Sequence, residues 1–145
     1  MKAPSTFQVF DWLWSSGQLS QSDIAELPGL GIDAVINLAL PTSSNALPGE
    51  AEMITNKGIC YFQIPVEWEH PEIDQLRIFF NLLDSFKGKK VWVHCALNMR
   101  VSAFIYLYRK HRMNEDEASA SYSMKHIWQP NEVWQAFIQS AEKAF

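Results

Sequence analysis

Val91-Trp92-Val93-His94-Cys95-Ala96-Leu97-Asn98-Met99-Arg100-Val101-Ser102 is the stretch on which the reading of this chain turns. Val91 to His94 is short, β-branched and aromatic, which predicts a buried strand. The strand ends in His94-Cys95, and Met99 to Arg112 then places Ala103, Phe104, Leu107 and Tyr108 along one helical face. A strand that passes through a tight loop into a helix start favours an anion. The first-turn amides are unpaired and point outward, and the helix dipole adds positive potential there. Cys95, at the start of the loop, would have its thiolate stabilised by the same donors. Arg100 puts a positive charge at the helix end that disfavours it, so an anion partner explains it better than a solvated surface does. Its planar fork suits two oxygens of a phosphate.

Outward from this segment, two more runs read as buried strands, Asp33-Ala34-Val35-Ile36-Asn37-Leu38 and Ile59-Cys60-Tyr61-Phe62-Gln63-Ile64, with a weaker one between Phe7 and Trp14. Helical patterns fill the gaps. Ser20 caps a short helix that stops at Leu27-Pro28-Gly29, and Pro48 to Asn56 starts on proline and ends before Gly58. Pro71 to Phe86 carries Ile73, Leu76, Phe79, Phe80 and Leu83 at helical spacing. Asn114 to Glu117 matches a capping box for a helix towards Lys125, and Asn131 caps the last helix. Strands alternating with helices predict an α/β fold: a small, mostly parallel sheet of four to five strands flanked by helices, with a helical C-terminal third. Ligands in such sheets bind beyond the carboxyl ends of the strands, where His94-Cys95 falls.

The 145 residues are 48% apolar and 19% charged, which fits one domain with its own core and excludes a disordered or fibrous chain. The net charge of −4 argues against a nucleic-acid or membrane-surface partner. No apolar run is long enough to span a bilayer, and the N-terminus lacks a secretion-signal pattern, so the expected compartment is the cytoplasm. Two cysteines, Cys60 and Cys95, are too few for a disulfide framework, and no histidine or cysteine spacing suggests a metal. Cys60 reads as core, and His111 and His126 as surface residues. No glycine follows Gly88, so the loop after Cys95 must turn without one.

The His94-Cys95…Arg100-Val101-Ser102 segment resembles the signature of the cysteine-dependent protein tyrosine phosphatases, in particular their compact dual-specificity-like group with bacterial members. Trp14-Ser15-Ser16-Gly17-Gln18-Leu19-Ser20 is similar to the entry segment of that group. Gly31 to Leu38 resembles its first core strand, and Gly58 to Val66 the strand leading into its general-acid loop. The resemblance runs from Trp14 to Ser102. It implies a phosphatase fold, a phosphorylated protein or small phosphate ester as substrate, and no cofactor or metal. It also implies that Cys95 attacks phosphorus, that Arg100 with the amides of Ala96, Leu97, Asn98 and Met99 holds the oxygens, that His94 braces the loop, and that Ser102 assists the leaving thiolate. A carboxyl group protonates the leaving oxygen in that family. The residue aligned with it here is Trp68, and Glu67 and Glu69 on either side are the candidates, with His70 behind them.

One feature departs from the family. Four residues separate Cys95 from Arg100, one fewer than usual, and Asn98 stands where a glycine is expected. Asparagine is the best non-glycine substitute for a positive φ. Rhodanese-type sulfurtransferases also have the shorter spacing and would put a persulfide on Cys95. Their upstream elements are not matched by Asn37-Leu38-Ala39 or Lys57-Gly58-Ile59. A phosphate-binding regulatory module with little turnover is a further alternative. The Trp128-Gln129-Pro130-Asn131 turn either lines the pocket or merely connects helices.

Overall fold

A computed structural model describes residues 1–145. The strands are β1 (Phe7–Phe10), β2 (Leu13–Ser16), β3 (Ala34–Asn37), β4 (Cys60–Gln63) and β5 (Val91–His94), and the helices are α1 (Gln21–Glu26), α2 (Glu50–Thr55), α3 (Ile73–Ser85), α4 (Met99–His111), α5 (Glu117–Ile127) and α6 (Glu132–Ala144). The sheet order is β1-β2-β5-β3-β4, with β1 antiparallel and every other pairing parallel. The α/β class and the mostly parallel sheet agree with the sequence. The weak strand between Phe7 and Trp14 is two strands, a hairpin that turns at Asp11-Trp12.

Side-chain alternation along the strands builds two apolar layers. On one face, Val35, Trp14 and Trp92 pack with Ile24 and Leu27 of the α1 region and with Ile54 of α2. The Trp14 and Trp92 rings stack with centroids 5.9 Å apart. On the other face, Leu13, Ile36, Val91 and Val93 meet α3, α4 and α6. Helix α4 is buried all round, from Arg100 to Arg109, because the sheet lies on one side of it and α5 and α6 lie on the other. A single apolar stripe, which the sequence suggests, therefore understates its position. No helix is long and apolar enough to cross a membrane.

Local chemistry sets most boundaries. Ser20 and Asp23 form a reciprocal capping box that starts α1. Glu72 and Gln75 do the same for α3, two residues into the predicted span. Helix α2 begins after Pro48, with Gly49 in the left-handed region (φ 77°) as its N-cap. Helix α5 is capped by Asp116, whose side chain accepts from the Ser119 amide; Asn114 instead takes a positive φ in the preceding turn. Asn131 caps α6 as expected. Cys60 corrects the sequence reading: it opens the edge strand β4 and is exposed. His111 is half-buried against the Phe145 ring rather than at the surface.

Candidate active site

Strand β5 lies at the centre of the sheet, and Cys95 is the first residue past its carboxyl end. The Cys95 amide donates to the Ser16 carbonyl at the end of β2 (3.3 Å), and the residue is 1% exposed. The loop then turns at Asn98, which takes φ 68° as the residue preceding α4. Asn98 also does something a glycine cannot. Its buried Nδ2 donates to the Ser5 carbonyl (2.8 Å) and to Ser15 Oγ (3.0 Å), tying the loop to the N-terminal segment and to β2.

A second anchor lies at Ala96. The Ala96 carbonyl accepts from the Gln18 amide (3.1 Å) and from Asn45 Nδ2 (3.2 Å). Gly17 permits this approach: a Cβ there would lie 2.6 Å from the Ala96 oxygen.

These anchors leave the loop's donors free. The amides of Ala96, Leu97, Met99, Arg100 and Val101 donate to no backbone carbonyl, while Leu97 forms an antiparallel bridge with Gly17. Arg100 is 7% exposed, and its Nη1 donates to the Val66 carbonyl (2.8 Å). It pairs with no carboxylate. A buried guanidinium without a counter-charge is costly by itself, and an anion relieves that cost.

Cys95 and Arg100 share a cleft of about 180 Å³ with Ala96, Leu97, Met99 and Trp68. The Trp68 ring packs against Trp128 (5.3 Å) and Trp134 (5.8 Å), and Trp134 Nε1 donates to the Trp68 carbonyl (3.0 Å). The residue that the resemblance aligns with the family's acid therefore contributes an indole to the lining of the cleft. Glu67, Glu69 and His70 are exposed, and none of them lines the cleft.

Ser102 lies one turn into α4, where Oγ donates to the Met99 carbonyl (2.9 Å) and accepts from Trp128 Nε1 (3.0 Å). Both contacts brace the helix start. Gln129 is exposed and outside the cleft lining. A larger cleft of about 530 Å³, bordered by Trp12, Lys87, Lys90 and Arg112, lies at the opposite end of β5. No group of three or more histidine, cysteine or acidic side chains is placed to hold a metal.

Behind the loop, His94 is fully buried with one ring nitrogen 3.3 Å from the Cys95 carbonyl and the other 2.7 Å from Glu50 Oε2. Glu50 opens α2 and is 6% exposed. Its Oε1 accepts a short hydrogen bond from Gln18 Nε2, and Asn37 Nδ2 approaches Oε2 at 3.4 Å. Burial pushes the Glu50 carboxyl up. The hydrogen bond and charge of His94, with hydrogen bonds from Gln18 and Tyr61, outweigh burial and hold it below the ordinary carboxylate value. Burial, with Glu50 nearby, pushes the Tyr61 hydroxyl well up; Asn37 Nδ2 donates to it at 3.0 Å.

Sequence reasoning missed Glu50, Asn37 and Tyr61. An acidic residue in a first helical turn reads as a solvated partner for the dipole, and only the fold brings it beneath β5. Gln18 carried a signal, since it belongs to the quoted entry segment.

No family profile and no curated protein matches the chain. Solved structures do. A DUF442 protein from Shewanella putrefaciens CN-32, provisionally described as a phosphatase, is 33% identical, with a TM-score of 0.86 over 99% of this chain and 95% of that one. Tk-PTP in its active form is 16% identical, with a TM-score of 0.83 over 98% and 99% of the two chains. TpbA of P. aeruginosa is 15% identical, with a TM-score of 0.75 over 97% and 88%. The last two likenesses are of fold. With a thiol and an unpaired arginine on one loop, the fold of cysteine-dependent tyrosine phosphatases, and 33% identity over nearly the whole length of both chains, the chain belongs to the DUF442 family of phosphatase-like proteins.

Proposed function

We propose that the chain is a cysteine-dependent phosphomonoesterase that works through a cysteinyl-phosphate on a loop with four residues between Cys95 and Arg100. The observation that carries this reading is the pairing of buried Cys95 with a buried Arg100 that has no carboxylate, beside loop amides without backbone acceptors. A phosphate dianion satisfies all three. Phosphate oxygens accept from the loop amides and the Arg100 fork, which places phosphorus in line with Cys95 Sγ. The thiolate attacks, the S–P bond forms, and the P–O ester bond breaks with its electron pair leaving on the ester oxygen. Water then attacks phosphorus, the S–P bond breaks, and the thiolate returns as inorganic phosphate departs. Donors aimed at the equatorial oxygens supply most of the stabilisation.

The leaving oxygen needs a proton unless it is already stable as an anion. Trp68 occupies the acid's place, and donation by Glu67 or Glu69 requires the 65–71 turn to move. The reading therefore favours aryl phosphates over alkyl phosphates. The neutral side chains of Ala96, Leu97, Asn98 and Met99, with Trp68 beside them, suit an aromatic ring better than a polyphosphorylated headgroup. TpbA binds pTyr and PTPMT1 binds PI(5)P on the same fold. Ser102 keeps the loop's exit rigid.

Replacing Cys95 with serine, which retains size and polarity, should abolish hydrolysis of para-nitrophenyl phosphate. Activity that survives in Cys95→Ser rejects Cys95 as the nucleophile. The absence of a carboxylate from the cleft favours a second reading, a phosphate-binding module with little turnover. Rapid-mixing kinetics separate the two: a burst of phenol equal to the protein concentration supports the enzyme, and phosphate binding with no burst supports the module.

A further inference from the structure

We propose that Glu50 is a positioning residue for the nucleophile, acting through His94 to hold a positively charged imidazole edge against Cys95. This rests on the reading of Cys95 as the reactive thiol. One His94 nitrogen faces the Cys95 carbonyl, which cannot donate, and the other faces the Glu50 carboxyl, whose hydrogen bonds hold it below the ordinary carboxylate value and so in its accepting form. A hydrogen on each ring nitrogen would satisfy both contacts, with Glu50 as the counter-charge.

The carboxylate is itself held from four directions. Gln18 reaches it from the end of β2, Asn37 from the end of β3, Tyr61 from β4 and His94 from β5. These are the groups that face it, and no lysine or arginine is among them. A buried carboxylate is costly, and a well-packed apolar group would often serve stability as well. Its placement directly behind the strand end that carries Cys95 gives it a use. The pair presents its ring to the Cys95 main-chain carbonyl, beneath the start of the loop, and its carboxylate away from it, and thiolates are favoured by nearby positive charge.

Glutamine in place of Glu50 tests this. It has the same shape, and its amide can donate to or accept from the nearer ring nitrogen. It therefore suits either neutral form of His94 and preserves packing. It cannot hold the second proton. The readout is the rate of Cys95 alkylation by iodoacetamide as a function of pH, which does not depend on any phosphatase activity. In Glu50→Gln the neutral-pH rate should fall about tenfold, and this loss should vanish when the same change is made in His94→Asn. With para-nitrophenyl phosphate, kcat should fall while KM stays near its original value.

An unchanged alkylation rate in Glu50→Gln, or a loss that adds fully to that of His94→Asn, overturns the proposal. Should Glu50→Gln fold poorly, the wild-type protein still decides. Nitrogen-15 spectra should show both His94 ring nitrogens carrying hydrogen at neutral pH, and a single N–H refutes the charged pair. If Glu50→Gln behaves as expected yet no aryl phosphate is hydrolysed, the phosphatase reading fails and the thiol assignment stands.

Discussion

Asn98 is the residue on which the loop's construction can be tested by stability alone. It holds φ at 68° while completely buried, and its Nδ2 bonds to Ser5 and to Ser15. Its Oδ1 is buried without a partner. Each of the two hydrogen bonds contributes about 1 kcal/mol net, and the orphan oxygen costs about as much as one of them recovers. Alanine removes all three features and adds about 1 kcal/mol for a side chain forced into the left-handed region. Glycine removes them without that strain. Asn98→Ala should therefore destabilise by about 2 kcal/mol and Asn98→Gly by about 1 kcal/mol. Urea unfolding followed by tryptophan fluorescence measures both, as a drop in the midpoint at constant slope. A glycine variant as stable as the wild type would show that the bonds to Ser5 and Ser15 contribute nothing. Equal losses for alanine and glycine would refute the conformational argument.

Two further predictions concern carboxylates. The double change Glu67→Gln with Glu69→Gln should leave para-nitrophenyl phosphate turnover within about twofold, since neither side chain lines the cleft and that leaving group needs no proton; a loss of a hundredfold or more would mean that the 65–71 turn brings one of them to the substrate. Glu50 titrates below its ordinary value of 4.5 in the folded protein, so the stability it contributes is complete above that value and is lost as pH falls through the folded value. Melting temperature measured from pH 6 to pH 3 should consequently fall more steeply for the wild type than for Glu50→Gln, and parallel curves would contradict the linkage.

The legible parts of the chain were those set by local chemistry. The strand from Val91 to His94 and the caps at Ser20 and Asn131 stand where side-chain pattern and capping groups place them. The hairpin at Asp11-Trp12 was hidden because neither residue is a glycine or asparagine, so the run from Phe7 lacked its usual punctuation. Asp116 won the α5 cap over Asn114 because two residues in one short stretch can both cap, and sequence does not rank them. Cys60 is exposed because β4 is an edge strand, and strand order is not a local property. In the site, Cys95, Arg100 and Asn98 were legible as one contiguous loop. The Glu50–His94 contact and the place of Trp68 in the cleft were not, since each joins residues that only the folded sheet brings together.

The sequence resemblance expects the arginine at position 101, and the helix shows what its place at position 100 does. Moving an arginine one position back along an α-helix rotates it by about 100° and shifts it by about 1.5 Å along the axis. Position 101 holds a valine that is fully buried in the core. Arg100 consequently emerges on the side of α4 that faces the 65–71 turn, where Val66 offers its carbonyl as an anchor. Trp68 comes from that same turn, and its backbone carbonyl is fastened by Trp134. The turn thus does two things here: it fixes the guanidinium through Val66 and lines the cleft beside Cys95 with Trp68. Apolar walls reduce the local screening by water, so each amide and the guanidinium act more strongly on an oxyanion than they would in an open site. The long, flexible stem of arginine accommodates the change in direction, and the contact with Val66 removes that flexibility. A lysine at position 100 would keep the charge but not the forked geometry, which is why the arginine, and not merely a cation, belongs to this loop.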